Sequence, residues 1–206
     1  MGVRPPRLNR GVSQTGVMVN EFGGLSKRTW AVVIDTVILL LFTPLLLWLR
    51  TESKQLMMVT ILPLSLLNPG YFILFHTLGG QSLGKMTLGL RVELVDGGPL
   101  TWARSIVRFS PVIVFQVIWA MGEILAIRSI PESELLAASF IQRTHLIMTH
   151  KPGWARLFPK LYCLWIAVDV IVLVSSGRKR AIHDFMAGTV VRCIKAGTGA
   201  HGTGAG

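Results

Sequence analysis

Four apolar runs set the limits on what this chain can fold into. Residues 30–49 are 20 consecutive positions with one charge, Asp35. A hydrocarbon core of about 30 Å is crossed by roughly 20 helical residues at about 1.5 Å each, so this run is a membrane span. A signal peptide would need an apolar region of only about 7–15 residues and a small-residue cleavage site, and neither is present. Residues 56–78 give a second run of 23 without Asp, Glu, Lys or Arg, interrupted by Pro63, Asn68 and Pro69. A third covers 109–127 with Gln116 and Glu123, and a fourth covers 161–176 with Asp169. The fourth extends to 157–176 when Leu157 and Phe158 join and Lys160 snorkels toward the headgroups.

Composition agrees. The chain is 51% hydrophobic and 15% charged, with a mean hydropathy of +0.55. Soluble domains average about 25% charged residues, so too little polar surface exists here to cover a water-soluble fold. The net charge of +11 resembles that of a nucleic-acid binder. Such a protein gathers its basic residues on one face, however, whereas here they stand in the gaps between apolar runs, and no nucleic-acid partner is expected. Two cysteines, Cys163 and Cys193, suggest no disulfide framework.

Four spans place both termini on one side. With the N-terminus inside, that side holds 14 Lys and Arg residues and the other holds seven, which puts both ends in the cytoplasm. The expected fold is therefore all-α and transmembrane, a four-helix bundle. Its membrane domain covers residues 26–195, with residues 1–25 a disordered basic arm and 196–206 a disordered Gly-rich tail. Between spans two and three, Leu90, Val92 and Leu94 alternate with Arg91 and Glu93 ahead of the turn Asp96-Gly97-Gly98-Pro99, which predicts a short cytoplasmic hairpin. Thr101 is placed to cap the helix that follows. Residues 128–156, on the outer side, carry Leu135, Leu136, Phe140 and Ile141 and predict an interfacial helix.

The stretch GGQSLGKMTLGLRV (79–92) imitates a phosphate-binding loop, matching G-x-x-x-x-G-K from Gly79. The last position fails, because Met86 stands where a Ser or Thr hydroxyl would reach Mg²⁺. The stretch also follows a membrane span instead of joining a strand to a helix. Two readings remain: a glycine-permitted re-entry turn, or an anion or lipid-headgroup loop built on Gly80, Gln81, Ser82, Gly84, Lys85 and Arg91.

Charges inside the apolar runs need partners, since an isolated ionised carboxylate in hydrocarbon costs about 2.5–3.5 kcal/mol. Asp35 lies about 7–8 Å and Asp169 about 10 Å from the inner end of their spans. His76, Arg104, Arg108 and Arg178 fall in the same inner layer. Arg28 is the first candidate partner for Asp35, with Arg108 the interhelical alternative. The set Arg28, Asp35, His76, Arg108 and Asp169 forms either buried ion pairs that fix helix register or a relay for a cation or proton.

Three blocks then resemble the RDD family of small bacterial membrane proteins, named for an Arg and two Asp residues. Span one opens with Arg28-Thr29-Trp30-Ala31-Val32-Val33-Ile34-Asp35, similar to the family's R-x-x-A-x-x-I-D. The loop from Gly80 to Arg108 is similar to its G-Q-S-x-G-K…G-L-R-V…D-G…R. The tail RKRAIHDFMAGTVV is similar to its closing R…H-D-x-x-A-G-T-x-V, with Arg178 or Arg180 as the Arg, then His183 and Asp184. The resemblance implies a bacterial cytoplasmic membrane protein, multi-pass, with no soluble catalytic domain. It places the family's second Asp at Asp184, for which a capping or bridging role is favoured over acid–base work.

The expected function is transport of ions, in the form of sodium/proton exchange for some members, or of small solutes, by a homo-oligomer embedded in membrane lipids. The alternative is a non-transporting module that binds lipid headgroups or a partner membrane protein through its basic cytoplasmic face. No nucleophile–base set or metal-ligand spacing suggests an enzyme, a cofactor or a metal.

Overall fold

The computed structural model describes residues 18–50 and 52–195. The terminal stretches 1–17 and 196–206, expected to lack regular structure, lie outside the described residues. Four helices are long and apolar enough to cross a membrane: α1 (Leu25–Leu49), α2 (Lys54–Gly79), α4 (Trp102–Ser129) and α7 (Gly153–Ser175). They correspond to the four runs, each helix longer than its apolar stretch. Ser53 accepts from the Leu56 amide to start α2, and Thr101 accepts from the Arg104 amide to start α4. Helix α2 runs unbroken through Pro63 and Pro69. Short helices α3 (Leu83–Thr87), α5 (Glu132–Ala137), α6 (Phe140–His150) and α8 (Ile182–Ala187) complete the helical part. Where one interfacial helix was expected in 128–156 there are two, because Ser139 caps α6 with a reciprocal Ser139–Gln142 box and so separates it from α5.

One end of the bundle carries a three-stranded antiparallel sheet, β1 (Met18–Phe22), β2 (Leu90–Leu94) and β3 (Thr189–Lys195), in the order β1-β3-β2. The turn predicted at 96–99 is present, since the Gly97 amide donates to the Leu94 carbonyl. Strand β2, however, pairs with β3, about a hundred residues downstream, and not with the residues after the turn. Strand β1 falls within the stretch 1–25 that was expected to be disordered. Pairing with β3 gives these backbone groups partners that the isolated segment lacks.

Two apolar cores result. Under the sheet, Leu90, Val92, Val191 and Cys193 close over Ala31 and Leu100. At the opposite end, Met57, Ile61, Ala120, Ile127, Leu135 and Ile147 join α2, α4, α5 and α6. Between the cores the long helices meet through aromatic pairs such as Phe72–Phe109 and Phe115–Tyr162, while many apolar side chains face outward; Leu41 is 74% and Val59 69% exposed. Lipid tails are the medium such a surface requires. Helices α4 and α7 pack tightly at Gly122, where a Cβ would lie 2.5 Å from Ala155 Cβ. Gly122→Leu should therefore push the two helices apart and cost about 1–3 kcal/mol, read as a lower thermal midpoint in detergent, while Gly79→Ala, at a position open on all sides, should leave it unchanged.

Candidate functional site

Beneath the sheet, the polar residues singled out by sequence collect into three connected groups. The first centres on Asp184, which is fully buried. It is the third residue of α8, and its Oδ2 reaches back to accept from the Ala181 amide at 3.1 Å, as a capping carboxylate does. Arg28 Nη1 of α1 lies 2.7 Å from Oδ2, and Arg108 Nη2 of α4 lies 2.6 Å from Oδ1. Thr189 Oγ1 also donates to Oδ1, at 3.2 Å. One carboxylate thus ties α1 and α4 to the C-terminal segment.

Burial alone would raise the Asp184 pKa. Arg108, His183 and Arg28 outweigh it and hold the carboxyl well below the ordinary carboxylate range. Arg28 is fixed further by donating from Nε to the Gly23 carbonyl and from Nη2 to the carbonyl of Lys179. Lys179 takes a left-handed backbone, φ 49°, at this turn. Arg180 donates to the Thr189 and Asp184 carbonyls and lies over the Phe185 ring, whereas Arg178 is exposed. Arg180 is therefore the tail arginine that enters the site.

The second group centres on Asp35, also fully buried. The sequence reading paired it with Arg28 or Arg108, and the structure corrects that. Asp35 accepts from Tyr71 Oη at 2.7 Å, Ser82 Oγ at 2.6 Å and the Gly84 amide at 2.7 Å. The reason is geometric. Two turns separate Arg28 from Asp35, so Arg28 extends past the end of α1 to α8, and Tyr71, Ser82 and the Gly84 amide satisfy Asp35. Ser82 does double duty as the N-cap of α3. Gly84 lets α3 lie directly on α1, since a Cβ there would fall 2.1 Å from the Ala31 carbonyl oxygen. Gln81 Nε2 donates to the Leu90 carbonyl, and Gly80 ends α2 in a left-handed cap.

The third group joins Lys85 to His76. Lys85 Nζ sits 2.7 Å from His76 Nε2, and both side chains are buried. Lys85 was expected as a surface charge for an anion; it points inward instead. Burial pushes its ammonium well below the ordinary lysine range and Arg108 adds to the effect, with Asp184 and Asp35 opposing. Arg91, the other basic residue of that loop, lies 3.9 Å from Glu93 in a groove of about 360 Å³. Close by, His76 Nδ1, Arg108 Nε and Arg108 Nη1 are buried without hydrogen-bond partners among the described residues.

Asp169 connects to the first group through His183. His183 Nδ1 lies 2.9 Å from Asp169 Oδ2, its amide donates to Asp169 Oδ1, and its Nε2 faces Arg108 Nη2 at 3.3 Å. Among the described residues, Asp35 and Asp169 have no partner in common. Tyr71 is not singled out by the sequence, although a tyrosine inside an uncharged apolar run is a signal that its hydroxyl must find a partner.

These groups span the same residues that carry the sequence signature, and residues 22–188 match the profile of the RDD family. The chain belongs to the RDD family. Searches of curated proteins and of solved structures find no significant match. In this RDD protein the signature residues are bonded to one another: Arg28 to Asp184, and Asp35 to the Gly-Gln-Ser loop through Ser82.

Removing the Asp184 charge should be severe. Asp184→Asn leaves Arg28 and Arg108 buried without their counter-charge, at a cost of about 3–5 kcal/mol, seen as loss of a folding transition or of monodispersity in detergent. Because the folded pKa is depressed, the wild-type contribution is complete above the unfolded value of 3.8 and is lost as pH falls toward the folded one. The thermal midpoint of the wild type should therefore drop steeply below about pH 4, measured by a thermal-shift titration.

Proposed function

We propose that this integral membrane protein couples proton movement to the transport of an ion or small solute across the bacterial cytoplasmic membrane, with the sheet and both chain ends on the cytoplasmic side. The observation that carries the reading is the buried Lys85–His76 contact at 2.7 Å. Two bases at that distance in a low-dielectric site share one proton easily and hold two only at high cost. A lone hydrogen-bonded histidine would not need a lysine driven below its usual range beside it.

The unpartnered His76 Nδ1 and Arg108 donors fit a path that water or a substrate group fills during turnover. From there, His183 stands between Arg108, Asp184 and Asp169. It is 29% exposed at the side chain, which gives protons a way to the aqueous side. In this reading Asp35 positions the loop that carries Lys85, and Asp169 with His183 passes the proton. Sodium/proton exchange, as the family resemblance implies, is the specific form to test first. Four helices enclose little space, so the transporting unit is proposed to be a homo-oligomer. With Lys85 turned inward, Arg91 is the accessible charge of this loop that the lipid-headgroup reading would use.

Proteoliposomes with an internal pH dye and an imposed sodium or pH gradient test this. Lys85→Met, which conserves volume in a buried site, should retain the fold and lower proton-coupled flux by at least about tenfold, with His183→Gln lowering it similarly. Flux within twofold of wild type in both variants would remove the proposal.

A further inference from the structure

The end of the bundle away from the sheet holds a pocket of about 170 Å³ between α1, α4 and α6. Its walls are mainly apolar, from Leu47, Trp119, Phe140, Ile147 and Met148. Set among them is Lys151, only 3% exposed. Its Nζ lies 3.0 Å from the centre of the Trp119 ring. Among the described residues this ammonium has no hydrogen-bond acceptor, and it lines the pocket. The side chain is buried, and its ammonium, with an aromatic face on one side and the pocket on the other, has no carboxylate within ion-pairing distance among the described residues.

The surrounding charges point the same way. Arg50 and Arg143 also line the pocket, against one carboxylate, Glu123, which pairs with Arg50. Arg143 is held rigidly, donating to the carbonyls of Leu135, Arg50 and Ala138. Three positive groups against one negative leave the site cationic, yet its opening lies beside the exposed apolar side chains of α6, Phe140 and Met148.

From this we propose that the pocket binds a membrane lipid with a single anionic headgroup, the phosphate facing Lys151 and Arg50 and the start of an acyl chain lying on Trp119 and Phe140. A small soluble anion would leave the apolar walls wet, and a neutral lipid would leave Lys151 unpaired. Burial pushes the Lys151 ammonium down to about 8, with Glu123 opposing and Arg50 adding to the shift, so a bound phosphate would hold the amine charged. The site is separate from the Asp184 and Lys85 groups and does not depend on the transport reading.

Native mass spectrometry of the full chain released from detergent tests the assignment, with phosphatidylglycerol, phosphatidylcholine or inorganic phosphate added at equal concentration. The wild type should keep one phosphatidylglycerol in preference to phosphatidylcholine by about tenfold. Lys151→Met should erase that preference, and Lys151→Arg should retain it. Phe140→Glu, at an exposed wall position where folding is not at stake, should lower phosphatidylglycerol retention by a similar factor and leave phosphatidylcholine unchanged. Equal retention of the two lipids by the wild type, undiminished preference in both Lys151→Met and Phe140→Glu, or binding of inorganic phosphate that excludes the lipid would each overturn the proposal.

Discussion

The rest of the inner architecture depends on keeping Asp184 charged inside a folded protein. A carboxylate with no exposed surface is tolerable only when several donors replace its lost water, and here two guanidinium groups, a backbone amide and a threonine hydroxyl do so. Those donors come from α1, α4 and the C-terminal segment, which are far apart in sequence. None of these elements can move independently without stranding a charge. The small sheet follows from this, because fixing α8 against α1 and α4 delivers β3 to the position where it pairs with β2 on one side and β1 on the other.

Asp35 performs a related task without an ion pair. Its three donors are a phenol, a hydroxyl and an amide at the start of α3, so both carboxyl oxygens are met by dipoles from α2 and α3. The imitation of a phosphate loop is then understandable in physical terms. Serine and glycine recur because a hydroxyl and an exposed amide must reach a carboxylate at close quarters, as donors do around a bound phosphate. In this protein the anion is supplied by the chain itself, from α1.

Span number and position were legible in sequence, because a long apolar run leaves one option in lipid. So was the list of polar residues, since charge in such a run demands explanation. Pairing was not legible. Arg28 and Asp35 lie on one helix and invite a local bond, but helical spacing says which face a residue occupies and nothing about which distant segment arrives there. The sheet was half visible for the same reason: Leu90, Val92 and Leu94 announce a strand, while its partner lies across two membrane spans. Lys85 misled because a glycine-rich basic loop after a span looks solvent-facing. Its inward turn depends on His76 at a site that only the packing of α3 on α1 creates.

The two ends of the bundle handle buried positive charge in opposite ways, and the contrast bears on function. At the sheet end Arg28 and Arg108 are both answered by Asp184, and the leftover base, Lys85, is set against a second base. A base beside a base has no structural advantage over a hydrophobic side chain of the same volume, which would fill the space without desolvating an ammonium. The proton coupling proposed above draws on this placement, because burial and the neighbouring Arg108 both lower the Lys85 ammonium from its ordinary range.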